Sequence, residues 1–196
     1  AGTAASTNVT VIVAELGPGL TNSLAAWWKL DEIGGSIAAD SSGNGRNAAV
    51  TSGSFVGGYH SNAIQFTTAS SRATYSAADG NQVTVAAWVR CDTTGGGSFP
   101  RIINAPGWRL MFRFSSNDPY SVGFATQDGG IGDWDSGGGS IALGNWYHVA
   151  ASYDRSNLSV NKPAFYINGV KYPTVTLAQP SGTVATLSGT GYIGNS

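Results

Sequence analysis

The stretch Val83-Thr84-Val85-Ala86-Ala87-Trp88-Val89-Arg90 decides the fold. Successive side chains of an extended chain point to opposite faces. Val83, Val85, Ala87 and Val89 therefore share one side, and Thr84, Ala86, Trp88 and Arg90 the other. The segment is rich in β-branched residues and free of Gly and Pro, so it reads as a strand with one face on a core.

The same pattern recurs on both sides of it. Residues 7–15 alternate polar and apolar and end at the turn signal Leu16-Gly17-Pro18-Gly19. Residues 24–31 read as a second strand with Ala26, Trp28 and Leu30 on one face. Further strands are expected at residues 63–66, 72–75, 101–104, 108–114, 120–125, 146–153, 164–167 and 191–193. Residues 34–47 and the Gly-rich residues 127–140 read as loops, and Asn168-Gly169 as a two-residue hairpin turn. No long segment carries a 3.6-residue period. Ten or more short strands split by Gly, Asn and Pro turns imply an all-β sandwich or barrel.

Composition narrows the function. The 196 residues carry a net charge of −1, and 11% of them are charged, against about 25% in an ordinary soluble domain. Such a chain lacks the basic field that draws in nucleic acid or an anionic membrane surface. Its 41% hydrophobic and 11% aromatic content excludes a disordered chain. Apolar runs such as Val11-Ile12-Val13-Ala14 fall far short of the ~18 residues of a membrane-inserted helix. Cys91 is the single cysteine and excludes an intrachain disulfide; it is expected to be an inert packing residue. A nearly uncharged polar surface fits an extracellular, cell-surface or virion-surface life within an assembly, or only a Gly-rich loop composition. The start at Ala1 fits a removed leader, a trimmed Met or a fragment.

Four stretches stand in series: Trp28-Lys29-Leu30-Asp31-Glu32 with Asp40-Ser41-Ser42-Gly43-Asn44-Gly45; Gly57-Gly58-Tyr59 leading into Ala63-Ile64-Gln65-Phe66; Val83 to Val89; and Trp146-Tyr147-His148-Val149-Ala150-Ala151-Ser152-Tyr153-Asp154 followed by Phe165-Tyr166-Ile167-Asn168-Gly169. Together they resemble the laminin-G-like jelly roll of the concanavalin A-like lectin/glucanase superfamily. The resemblance implies a jelly-roll sandwich of two antiparallel sheets over residues 21–196, with residues 1–20 as a β arm or linker. It also implies one more closing strand, carrying an acidic residue, after a segment like Gly191-Tyr192-Ile193-Gly194-Asn195; here the sequence ends at Ser196. A vacant sheet position beside residues 24–31 follows. Residues 7–15 are of suitable length to fill it, at a sheet edge in their own chain or in a neighbouring subunit. The fold hosts many functions and decides none.

Catalysis finds little support in the residues. Retaining glycosidases need two carboxyl groups about 5–5.5 Å apart, yet Glu15 and Glu32 are the only glutamates and no Glu-x-Asp-x-x-Glu pattern occurs. His60 and His148 are the only histidines, and no G-x-S-x-G elbow or zinc pattern accompanies them. His148 is expected as a hydrogen-bonded residue inside the sandwich. Ca²⁺ needs six to eight oxygen ligands; Asp40 and Asn44, on a Gly-permitted turn, are the candidate ligands, against an Asx turn bonding its own backbone. Gln127-Asp128 and Asp133-Trp134-Asp135 are a weaker second candidate. Sugar recognition needs an aromatic platform beside polar groups. Trp134 between Asp133 and Asp135, with Trp108 and Tyr120 flanking, is the candidate glycan site, unless Trp134 folds back as a plug. Trp27, Trp28, Trp88 and Trp146 read as core or sheet-face packing. The expectation is a non-catalytic, lectin-like binding or adhesion module for carbohydrate or a cell-surface glycan. The alternatives are a structural or decoration protein of a virion or extracellular filament and, last, a glycoside hydrolase.

Overall fold

A computed structural model describes residues 7–10, 24–77, 80–92, 99–114, 120–127, 131–182 and 189–194. In chain order its strands are β1 (Thr7–Thr10), β2 (Ile37–Ala38), β3 (Ala48–Thr51), β4 (Gly53–Gly57), β5 (Asn62–Phe66), β6 (Arg72–Ala77), β7 (Gln82–Cys91) and β8 (Arg101–Ala105). There follow β9 (Trp108–Arg113), β10 (Ser121–Thr126), β11 (Gly132–Asp135), β12 (Trp146–Asp154), β13 (Ala164–Ile167), β14 (Val170–Tyr172), β15 (Val175–Ala178) and β16 (Gly189–Gly194). They form a seven-stranded sheet in the order β14-β13-β12-β7-β1-β5-β4 and a nine-stranded sheet in the order β15-β11-β10-β9-β8-β16-β6-β3-β2. The pairings are antiparallel. The architecture is that of a concanavalin A-like jelly-roll sandwich.

Alternation builds the core. Val85, Ala87 and Val89 of β7 and Val149 and Ala151 of β12 are buried on the inner face of the seven-stranded sheet. Leu110 and Phe112 of β9, Val122 and Phe124 of β10 and Ile193 of β16 close on them from the other sheet in one apolar cluster. Each fully buried side chain of this size stabilises the fold by about 1.5–3 kcal/mol. Cys91 ends β7 within this core. The expected hairpin turn joins β13 to β14: Asn168 and Gly169 have φ of 50° and 78°, the two left-handed residues of a type I′ turn.

Three expectations are corrected. Residues 24–31 form no regular strand; among the described residues their one β-bridge joins Trp28 to Asp40, and the rest of the attachment is made by side chains such as Trp28 and Leu30 in the core. Leu30 has a left-handed φ of 60° that breaks the extended backbone, yet Trp28 and Leu30 are buried while Lys29 and Asp31 are exposed, so the expected division of faces holds without a strand ladder. Residues 127–140 are not all loop, because β11 lies inside them and pairs with β10 and β15. The part of residues 7–15 that is described, Thr7–Thr10, does not sit at a sheet edge. It lies between β5 and β7 of its own chain, pairing with both, and not beside residues 24–31. Residues 11–15 lie outside the described residues.

Candidate functional site

Strand β11 divides the expected glycan site. Trp134 points inward, is 0% exposed, packs 5.2 Å from the Tyr153 ring and donates its indole N–H to Gln179 Oε1 at 3.3 Å. It offers no face to a ligand, so the stacking-platform expectation gives way to the plug. Asp133 and Asp135 point outward, and both carboxylates meet the Arg113 guanidinium. Trp108 and Tyr120 are not brought together. Trp108 pairs with Thr126 at one end of the β9–β10 ladder, whereas Tyr120 packs edge-on against Phe114 at the other. Trp108 stacks on Phe124 and lines, with Asn104, Arg109, Gln127 and Thr190, a cleft of about 180 Å³.

The Asp40–Gly45 loop is stitched by its own hydrogen bonds. Asp40 Oδ1 accepts from the backbone N–H of Trp27 and Ser42, and Oδ2 accepts from the Ser42 hydroxyl and the Arg46 N–H, at 2.8–2.9 Å. Burial pushes the Asp40 carboxyl up, but these donors together outweigh it and hold the group below its ordinary value. Asn44 donates its amide to the carbonyls of Leu24 and Ala25. Among the described residues no three His, Cys, Asp or Glu side chains converge as a metal site. A single carboxylate with four protein donors on it is a poor fit to the six or more oxygens Ca²⁺ requires.

A different constellation stands on the outer face of the seven-stranded sheet. Trp88 and Arg90 of β7 lie opposite His148 and Trp146 of β12, on the side away from Val89 and Val149. The turn before β5 folds over this face, held by the Gly58 N–H donating to the Ser61 carbonyl at 2.8 Å. Only glycine fits at position 58, since a Cβ there would lie 2.5 Å from the Asn62 carbonyl oxygen. The turn lays Tyr59 flat on Trp88, with ring centroids 3.7 Å apart and planes 12° apart, and sets His60 edge-on to both rings. Tyr59 is 49% exposed, and Trp146 lies 6.4 Å from it. Arg90 stands over the Trp146 ring at 5.3 Å while its fork donates to both Asp92 oxygens at 2.7 and 3.1 Å.

His148 completes this face and is not inside the sandwich as expected. Its ring meets Trp88 at 5.5 Å. Its backbone is clamped by the hairpin turn: its N–H donates to Asn168 Oδ1 at 2.9 Å, and its carbonyl accepts from the Asn168 N–H at 2.8 Å. Partial burial lowers the affinity of His148 for a proton, which keeps the imidazole neutral at neutral pH. The sequence held the signal: Trp88 has the opposite parity from Val85, Ala87 and Val89, and Trp146 and His148 the opposite parity from Val149 and Ala151. Five rings, those of Tyr59, Trp88, Trp146 and the two histidines, thus share one solvent-facing patch.

Comparison with known proteins places the chain by family. Residues 61–196 match the family model of laminin-G type described as the concanavalin A-like lectin/glucanases superfamily. The chain belongs to that family. No curated protein and no solved structure matches it. Domains of laminin-G type are generally binding modules and typically extracellular, and no helix among the described residues is long and apolar enough to cross a membrane.

Proposed function

We propose that this chain is a non-catalytic carbohydrate-binding module of an extracellular or surface-exposed protein, and that its platform is Tyr59 stacked on Trp88 with Trp146 beside it. The observation that carries the reading is the half-exposed Tyr59 ring, pinned flat by Trp88 and ringed by His60, His148 and the Arg90–Asp92 pair. A sugar presents one apolar C–H face and a rim of hydroxyls. A fixed aromatic ring takes the face, and imidazole, guanidinium and carboxylate groups take the rim. A pre-stacked ring also loses little freedom on binding. The family supports a binding role in general, and the commitment of Asp133 and Asp135 to Arg113 supports the absence of a glycosidase pair.

A glycan array tests the reading, followed by titration of any hit against Tyr59→Ala and Trp146→Ala. Tyr59→Ala should weaken binding at least tenfold while costing about 0.5–1.5 kcal/mol of stability, the value of one aromatic pair. An array without hits, or a hit whose affinity ignores both substitutions, refutes it.

A further inference from the structure

The outer face of the nine-stranded sheet, remote from the aromatic patch, carries an unusual charge arrangement for so uncharged a chain. Strand parity places Arg101 of β8, Arg109 and Arg113 of β9, and Asp133 and Asp135 of β11 on this face. Arg72 of β6 joins them, standing 5.1 Å over the Tyr192 ring of β16. Four of the seven arginines therefore share one face with two carboxylates, in a chain whose net charge is −1. The carboxylates are both spent on Arg113, which also lies 4.9 Å from the Phe99 ring.

Arg101 and Arg109 have no carboxylate partner among the described residues. Arg101 Nη1 donates only to the thioether of Met111 at 3.0 Å, a weak acceptor for a guanidinium. Arg109 Nε is buried and makes no hydrogen bond. Burial, followed by repulsion from Arg109 and Arg113, lowers the proton affinity of Arg101 below the ordinary value. A half-buried guanidinium without an oxygen acceptor is costly, and a second one diagonal to it on the neighbouring strand adds to the cost. The cleft of about 180 Å³ lined by Arg109, Asn104, Trp108, Gln127 and Thr190 opens beside Arg109.

We infer that Arg101 and Arg109 form a binding site for an oxyanion, the carboxylate or sulfate ester of an acidic saccharide, with the Trp108 cleft receiving the attached ring. The planar guanidinium fork matches two oxygens of either group, and an anion there satisfies the unpaired donor and relieves the repulsion among the arginines. The site is independent of the Tyr59 platform, since it lies on the other sheet.

The test uses the whole chain and four probes: sodium sulfate against sodium chloride at matched ionic strength, a galacturonic acid trimer, a sulfated galactan tetramer and a neutral galactan tetramer. Sulfate should raise Tm above the chloride control by more in the wild type than in Arg109→Gln, because its general exclusion from the surface acts on both alike. One anionic oligosaccharide should bind saturably and at least tenfold more tightly than the neutral one, and which one does so identifies the group. Arg109→Gln and Arg101→Gln should each weaken that binding about tenfold, with Arg109→Lys intermediate, whereas Lys162→Gln, an equal charge change elsewhere, should leave it unchanged. Melting curves of each variant separate lost binding from lost fold. Absence of saturable binding by all three anionic probes, equal loss in Lys162→Gln, or undiminished affinity in both arginine variants overturns the site.

Discussion

Trp134 and its two flanking aspartates point to opposite sides of β11, and a single residue of offset decides what each does. The indole is enclosed against Tyr153 and Gln179, so Trp134→Ala leaves a large cavity in the core. The expected loss is about 3–5 kcal/mol of unfolding free energy, measured by urea denaturation; a loss under 1 kcal/mol would mean the ring is not core. Asp40 is the second residue whose role is local. Its carboxyl is held below the ordinary value, so its contribution is present above about pH 4 and disappears as the pH falls through its lowered value in the folded state. Asp40→Ala should lower Tm at pH 7, and the gap to the wild type should close towards pH 3. Because the four donors on Asp40 come from the protein itself, chelation should leave Tm unchanged. A fall in Tm on chelation that Asp40→Ala abolishes would instead establish Ca²⁺ in this loop.

At the scale of elements, legibility followed burial symmetry. Strands with one dry and one wet face, such as β7, β12 and β13, were readable almost to their ends, because alternation is the imprint of such a face. The Asn-Gly turn after β13 was readable for a different reason: its two left-handed residues tolerate few alternatives. Short strands that are rich in Gly, Ser and Ala, or that bury neither face as β15 does, leave no such imprint. Strands β3, β4 and β15 and the Gly-flanked β11 are fixed by their partners in the sheet and not by their own composition. The misplaced site has the same origin. Trp134 reads as a surface ring because it stands among glycines, while Trp88 and Trp146 read as packing because they stand on strands. Parity, and not neighbourhood, separates the buried indole from the outward ones. Tyr59 could not be placed at all from its own surroundings, since its position on Trp88 depends on a turn folding across a sheet.

For the whole molecule, the question is what joins the β4–β5 hairpin to the rest of the seven-stranded sheet. Hairpin strand β5 does not pair with β7; β1 stands between them, with three register pairs to β5 and four to β7. The inner residues of β5, Ile64 and Phe66, are fully buried, so the hairpin rests on the core while its lateral bonding depends on β1. Removing residues 1–10 therefore leaves two unpaired strand edges facing each other across a vacant position. At a net ~1 kcal/mol per backbone hydrogen bond the loss is several kcal/mol, a large part of the ~5–15 kcal/mol that holds a domain together. The truncated chain should melt well below the intact one. Because the vacancy accepts a strand through backbone bonds, a synthetic peptide of residues 5–15 added in trans should restore much of the lost Tm, in a concentration-dependent way. The same vacancy lets a strand from a second copy enter, so the intact chain at high concentration is the control: a monomeric mass by light scattering shows that Thr7–Thr10 stays in its own sheet, and a dimer that the free peptide dissolves shows exchange between chains. An unchanged Tm and mass after truncation would remove β1 from the architecture.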